Sequence, residues 1–342
     1  MSDLTNPTWI YDWTYKLVYQ LILTLNAPLM STSDVYWLYL LSALVIGVWV
    51  AFRSHSTPEK ENLGFWRSFQ SKHLSLKTWA HPSALLDMRY YAVNAILFPL
   101  VFAPFALQSQ SIVDFLNQWV GGLLQINSFG ALGLSSGGDV AIKMIYTVLF
   151  FVAYDAGRFI AHSLLHDIKW LWEFHKIHHS AEVLTPFTAF RVHPVDLLIM
   201  LSVPAITTGG ITWIFHSVIS PDIGFYTLLN LHVFICLFNF IDNIRHWNVW
   251  LTYPTPFNKW FISPAHHQLH HSANPEHWGC NRGFELAIWD RLYKTLVTPT
   301  QSPQDLTLGL GDGDELSWRS LPQLYLNPFK TLFKSIHSKK LA

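Results

Sequence analysis

The sequence predicts an all-α fold, a polytopic bundle of about four to six transmembrane helices with a helical cap on the cytoplasmic side. Three observations support this prediction. Hydrophobic residues make up 51% of the 342 residues and charged residues only 13%, a balance opposite to that of a disordered chain. Several apolar stretches approach the length of a membrane-spanning helix. Of the 18 histidines, six lie within 162–193 and six within 246–277, and the region 245–342 is too polar to span.

The predicted spans follow from the rule that a helix needs about 20 mostly apolar residues to cross a bilayer. Five stretches come close, namely 35–52, 90–113, 144–161, 197–221 and 223–241. The stretch 17–33 is weaker, because Gln20, Asn26 and Pro28 leave open a short span, a re-entrant segment or an interfacial helix. The N-terminal residues lack the pattern of a removable signal peptide, so we expect these spans in the mature protein.

Charges in the loops predict the orientation, because Lys and Arg of short loops stay on the cytoplasmic side. Six basic residues lie within 53–89, whereas 90–142 and 194–244 contain none. Both histidine-rich segments, 162–193 and 246–277, therefore fall on the cytoplasmic face. Lys plus Arg and Asp plus Glu both number 22. With no basic excess, the chain is not expected to bind nucleic acid.

The histidines recur at chelating spacings. On a helix, residues four apart share a face, so His162 and His166 can bind one ion. The segment HKIHH has the spacing H-x-x-H-H, and HHQLHH repeats it. The nine imidazoles are those of His162, His166, His175, His178, His179, His246, His267, His270 and His271. Four ligands complete a structural zinc site, so nine indicate a dimetal site, for which Fe, Cu, Zn and Ni all suit imidazole.

These motifs resemble those of the fatty acid hydroxylase/sterol desaturase superfamily, which are integral-membrane non-haem diiron enzymes. HSLLH, HKIHH, HHQLHH and the closing WDRLYKT of residues 289–295 match the family pattern in order, and the resemblance covers about 154–297. Three positions depart from it. Ser163 replaces a common Arg, Arg282 a common aromatic residue and Lys294 the usual Gly. None of them is a presumed ligand, so the departures concern the substrate more than the metal site.

The resemblance implies two Fe ions that use O2 as co-substrate to hydroxylate an unactivated C–H bond of a membrane lipid. The substrate would be a fatty acyl, sterol or related lipid. A desaturase with the same centre is the alternative, and a non-enzymatic metal-binding membrane protein is a rival class. Two cysteines are too few for an iron–sulfur cluster. We therefore expect a separate electron donor, either a reductase with ferredoxin or cytochrome, or a pterin.

Residues that support the metals are also expected. Carboxylates should orient ligand N–H groups and balance charge, and Asp155, two helical turns before His162, is the first choice. His193, His232 or Asp242 could supply the last ligand. The catalytic candidates beside the nine histidines are therefore Asp155, His193 and Asp242. The other carboxylate candidates are Asp167, Glu173, Asp196 and Asp290.

The sequence also predicts a division of the chain and a location. We expect an N-terminal membrane region over 1–143, a catalytic domain over 144–297 that includes a membrane hairpin at 194–244, and a cytoplasmic C-terminal tail over 298–342. The protein is predicted to be integral to a membrane, the bacterial inner membrane or, in a eukaryote, that of the endoplasmic reticulum. The active site then lies on its cytoplasmic face.

Overall fold

The computed structural model describes residues 8–55, 64–121, 140–220 and 222–338. The ends of the predicted N-terminal region and C-terminal tail lie outside these residues. As predicted, the described part is mostly helical. Its α-helices are α1 Thr8–Asn26, α2 Trp37–His55, α3 Phe65–His73, α4 Leu76–Trp79, α5 Pro82–Leu97, α6 Ser109–Leu116, α7 Val140–Asp167, α8 Lys169–His179, α9 Pro194–Val218, α10 Val233–Asp242, α11 Thr255–Asn258, α12 Pro264–His270, α13 Ile288–Tyr293 and α14 Leu321–Ser338.

Shorter elements connect these helices. Strands β1 Thr227–Leu228 and β2 Leu231–His232 form a two-stranded antiparallel hairpin. Five-residue π-helical segments occupy Phe98–Phe102 and Asn117–Gly121. Turns of 3-10 helix lie at Ala27–Leu29, Ala103–Phe105, Pro186–Phe190, Pro275–His277 and Glu315–Trp318.

Three helical stretches of the described residues are long and apolar enough to cross a membrane: Pro82–Val120, Val140–Asp167 and Pro194–Val218. Trp37–Arg53 and Val233–Asp242 are shorter apolar helices. The stretch 223–241 is therefore not one spanning helix, contrary to the prediction. It begins with the β-hairpin, and the ten residues of α10 reach only about 15 Å. Hydropathy alone does not separate a short packed helix from a span.

Helices α7 and α9 pack closely side by side. A Cβ atom on Gly157 would lie 2.5 Å from the Cα atom of Pro204, so only glycine permits this approach. Thr207 on α9 donates to the carbonyl of Ala153 at 2.7 Å. Small residues and interhelical hydrogen bonds from hydroxyl groups are typical of helix pairs in membranes. The pair fixes the position of the C-terminal part of α7.

Residues after α10 form a cap that holds this end of α7. Both oxygens of the buried Asp155 carboxylate accept hydrogen bonds from it, from the backbone N–H of Glu285 (2.9 Å) and of Leu286 (3.1 Å) and from the indole of Trp289 (2.7 Å). The Glu285 carboxylate also contacts Arg158 on α7 at 3.4 Å. The cap is thus joined to α7 by buried polar contacts before the helix ends.

A second buried network surrounds the end of α8. The Arg191 side chain is 1% exposed and donates to Asp87 on α5 at 2.8 Å. Its Nε donates to the carbonyl of Ile177 at 3.0 Å, and Nη2 donates to the Ser180 hydroxyl and the Trp318 carbonyl, both at 2.9 Å. Arg191 therefore ties α5, the last turn of α8 and the C-terminal segment together.

Candidate metal centre

The structure brings the nine histidines of the predicted motifs into two groups. Within each group, one possible ligand atom from every member lies within 4.8 Å of the others. The five-histidine group consists of His162, His166, His175, His179 and His270. The four-histidine group consists of His178, His246, His267 and His271.

Helix geometry explains how the two H-x-x-H-H segments divide. On α8, His175 and His179 are four residues apart and share a face, while His178 points about 100° away from its neighbour. That difference sends His178 to the four-histidine group. The second motif, on and just after α12, divides in the opposite sense. Its middle histidine, His270, joins the five-histidine group, whereas His267 and His271 join the four-histidine group. Both helices therefore contribute to both groups.

The Nε2 atoms converge at the spacing expected of ligands to one ion. An imidazole nitrogen lies about 2.0–2.1 Å from bound zinc, so two nitrogens at a right angle around such an ion are about 3 Å apart. In the five-histidine group the Nε2–Nε2 distances are 3.1 Å for His162–His175, 3.2 Å for His162–His166, 3.2 Å for His175–His179 and 3.3 Å for His166–His270. In the four-histidine group they are 2.8 Å for His246–His267, 3.1 Å for His267–His271 and 3.2 Å for His178–His246.

Burial favours the neutral form of imidazoles in both groups. It lowers the pKa of His270 to about 3 and that of His246 to about 4, because a charged ring loses hydration there. Neighbouring histidines further lower the pKa of His271. A metal requires the neutral ring with a free lone pair. The donor set therefore fits two transition-metal ions.

Three rings of the five-histidine group are oriented through Nδ1. That of His175 contacts the Asp196 carboxylate at 2.7 Å. His162 Nδ1 donates to the carbonyl of Arg282 at 2.8 Å, and His270 Nδ1 to the carbonyl of Cys280 at 2.6 Å. Acceptors at Nδ1 direct Nε2 toward a metal and increase its basicity. Asp196 is one of the carboxylates that the sequence indicated for this role.

Comparison with known proteins agrees with this geometry. The model of the fatty acid hydroxylase family matches residues 147–295, which contain all nine histidines. This part of the chain is therefore similar to the fatty acid hydroxylase family. No solved structure matches the chain.

The chain is also similar to curated proteins whose names describe the oxidation of lipids. The chain is 30% identical over 166 residues to the ornithine lipid hydroxylase OlsE of Rhizobium tropici, an alignment that covers 48% of this chain and 45% of the relative. It is 28% identical to alkylglycerol monooxygenase of Danio rerio (44% and 30% covered) and 26% identical to cholesterol 25-hydroxylase of Homo sapiens (46% and 53% covered). The chain thus spans about half or less of each relative.

Three predicted site residues lie outside both histidine groups. Both oxygens of Asp155 accept hydrogen bonds from the cap. His193 begins α9: its Nδ1 accepts from the Val195 N–H. Asp242 forms an ion pair with Arg245 at 2.7 Å. None of the three belongs to either histidine group.

The remaining candidates have identifiable partners. His232 Nε2 donates to the carbonyl of Thr147 at 2.7 Å, outside both groups. Asp167 accepts from Arg282 at 2.8 Å, and Glu173 forms an ion pair with Lys176 at 3.0 Å. None of these three side chains is a member of either histidine group.

The closing motif, residues 289–295, stabilises the loop that contacts His162. Asp290 accepts from the backbone N–H of Arg282 (2.8 Å) and of Gly283 (2.7 Å) and from the Thr295 hydroxyl. These hydrogen bonds hold the Arg282 carbonyl in position to accept from His162. Lys294, at the place of the usual Gly, has φ +63° in the left-handed region, which favours glycine. The motif therefore fixes the loop that orients His162.

Sequence reasoning missed a buried charge network beside the site. Glu285 lies between Arg245 (2.8 Å) and Arg158 (3.4 Å). Burial raises the pKa of the Glu285 carboxyl to about 7, against the lowering effect of the two arginines. An arginine inside an apolar helix usually has a partner or a function, so Arg158 was the available signal. Nothing local in the sequence indicates Glu285.

The two histidine groups differ in access. His166, His179 and His270 line a cavity of about 360 Å³. The indole of Trp172 packs against His166 and His179, with ring centroids 5.2 Å and 5.4 Å away. All members of the four-histidine group are buried. A small molecule can therefore approach the five-histidine group through this cavity.

Replacing Asp196 with asparagine is expected to weaken metal binding at the five-histidine group about 10- to 100-fold, because the His175 ring loses a charged acceptor. Competition with a chelator would measure this affinity. Asp242→Asn is the matched control, since Asp242 belongs to neither group and pairs with Arg245, and should leave the affinity of the five-histidine group unchanged. A loss at Asp242 without one at Asp196 would contradict the orienting role and support the ligand interpretation of Asp242.

Proposed function

We propose that this protein is a membrane-embedded diiron monooxygenase that hydroxylates an unactivated C–H bond of a membrane lipid. The observation that carries the proposal is the convergence of nine imidazole nitrogens into two thiolate-free groups. The family match and the lipid-oxidising activities in the relatives' names support it. The substrate class is a fatty acyl, sterol or related lipid.

Iron fits this role better than zinc. Imidazole ligands suit several transition metals, but zinc has no redox chemistry. Iron bound by the histidines supplies the reaction with O2, in which one oxygen atom enters the C–H bond and the other leaves as water. That balance consumes two electrons and two protons. A separate donor, a reductase with ferredoxin or cytochrome or else a pterin, provides the electrons.

The protein's own residues hold and shield the centre. Asp196 and the carbonyls of Cys280 and Arg282 keep three rings oriented. Trp172 covers two imidazoles of the five-histidine group and limits the entry of water. The reacting carbon approaches through the cavity beside this group. By the loop charges, the site lies on the cytoplasmic face of the membrane.

A desaturase is the second candidate. The chain is 29% identical over 140 residues to the Delta(7)-sterol 5(6)-desaturase ERG3B of Gibberella zeae, covering 38% of that protein. Desaturation uses the same oxidant but removes a second hydrogen atom from the lipid. The histidine groups suit both outcomes, so the product separates them.

Lipid mass spectrometry tests the proposal. Aerobic cells that express the intact protein should contain a lipid with one added oxygen, and this lipid should be absent with His270→Ala. Replacement of the exposed His337 is the control and should keep the product. A lipid that loses two hydrogen atoms would replace hydroxylation by desaturation. Iron-free purified protein with no O2-dependent product would overturn the proposal and favour a non-enzymatic metal-binding protein.

A further inference from the structure

We propose that Arg282 and Asp312 bind a charged polar head group of the lipid, so that the carbon oxidised lies beside that head group and not at the far end of a chain. This inference rests on the proposed lipid oxygenation and names the class of its substrate. It follows from the depth of the five-histidine group and from the chemistry of the cavity that reaches it.

The depth follows from the length of α7. Its 28 residues rise about 42 Å, close to the thickness of a bilayer with its head groups. His162 and His166 both lie in the last six residues of this helix. The five-histidine group therefore lies at the level of lipid head groups.

The cavity has a charged side next to the histidines. Besides His166, His179 and His270, it is lined by Arg282, Asp312 and Ser272. Arg282 Nη1 contacts Asp167 at 2.8 Å, and Nε donates to the carbonyl of Gly279 at 2.8 Å. Its Nη2 has no hydrogen bond to any of the described residues. This nitrogen can donate to an anionic oxygen of a ligand.

Asp312 supplies the complementary charge. Its side chain is exposed and accepts one local hydrogen bond, from the backbone N–H of Asp314 at 2.9 Å. The other carboxylate oxygen can accept from an ammonium or hydroxyl group of a ligand. The cavity of about 360 Å³ is near the lower end of ligand pockets. A head group and a few neighbouring carbons suit this space better than a whole lipid.

Arg282 determines the polarity of the cavity wall beside the histidines, because its side chain lies on that wall. An aromatic side chain there would give an apolar wall. Arginine instead favours an anionic oxygen, because its charged N–H groups form strong hydrogen bonds. Arg282 is thus a specificity residue for the head group.

Binding by the purified, iron-loaded protein in detergent tests the inference directly. Dioctanoyl phosphatidylethanolamine carries a phosphate and an ammonium group, whereas dioctanoylglycerol carries neither. We expect the intact protein to bind the first about tenfold more tightly, as a charged hydrogen bond of ordinary strength provides. Arg282→Gln should reduce this preference to about twofold or less. Arg319→Gln, which removes an exposed arginine of a surface ion pair, should retain it.

Asp312→Asn provides a second variant. Asp312 lies in an exposed loop, and its replacement leaves the ion pair between Arg282 and Asp167 in place. It should also lower the preference for the charged head group. Equal affinity of the intact protein for both lipids, or a full preference in both variants, would overturn the inference. Fragmentation of the oxidised lipid gives an independent readout: oxygen in the head-group or glycerol fragment agrees, and oxygen at a chain end contradicts it.

The binding assay and the oxygenation assay fail separately. If the iron-loaded protein yields no O2-dependent product but still prefers the charged lipid, the proposed function is wrong and the binding site stands. If a product forms without any head-group preference, the function stands and the inference is wrong.

Discussion

Replacing His267 with alanine is expected to empty the four-histidine group and, under the proposed diiron function, to lower the iron content from two ions per chain to one. Four ligands complete a closed site, and all four histidines of this group are buried, so the group has no spare imidazole to replace the lost ring. We expect its metal affinity to fall about 100-fold or more, beyond the loss typical of a supporting residue. His179→Ala leaves four imidazoles in the five-histidine group and should have a smaller effect.

Metal analysis after dialysis against a chelator measures this difference. His337→Ala removes an exposed histidine of α14 and should retain both ions. Equal iron loss in the His179 and His267 variants would show that the two groups do not bind their ions independently. Full iron retention in the His267 variant would remove that residue from the ligand set.

Replacing Arg191 with leucine is expected to destabilise the protein by about 3–5 kcal/mol, because it leaves the Asp87 carboxylate buried without its partner. Both side chains of this ion pair are almost completely buried, with 1% and 0% exposure. The same change removes the donors to the Ile177 and Trp318 carbonyls. Since Ile177 lies in the last turn of α8, we expect weaker metal binding as well.

Thermal unfolding in detergent, followed together with iron content, checks this prediction. The control is Arg319→Leu, which breaks a more exposed ion pair with Glu182 of 2.9 Å and should cost less than about 1 kcal/mol. The double replacement of Arg191 and Asp87 by leucine should recover part of the loss, since no charge is left buried. A double variant less stable than Arg191→Leu would contradict this explanation.

The histidine pattern was readable because it is local. Spacings of three and four residues place side chains on one face of a helix whatever the helix packs against. The nine motif histidines are the nine that the two groups contain. Hydropathy likewise located α7 and α9, since both are long apolar helices. It failed at 223–241, where a hairpin and a ten-residue helix share the apolar composition of a span.

Only the tertiary structure decided which residues support the histidines. Asp155 and Asp196 are both buried carboxylates near a motif, yet the first joins the cap to α7 and the second contacts His175. The acceptors for His162 and His270 are backbone carbonyls, and every residue type has a carbonyl. The contact of His162 joins residues 120 positions apart, and such a contact depends on how helices pack. The periodicity of a helix therefore identifies the metal-binding side chains, whereas packing selects the groups that orient them.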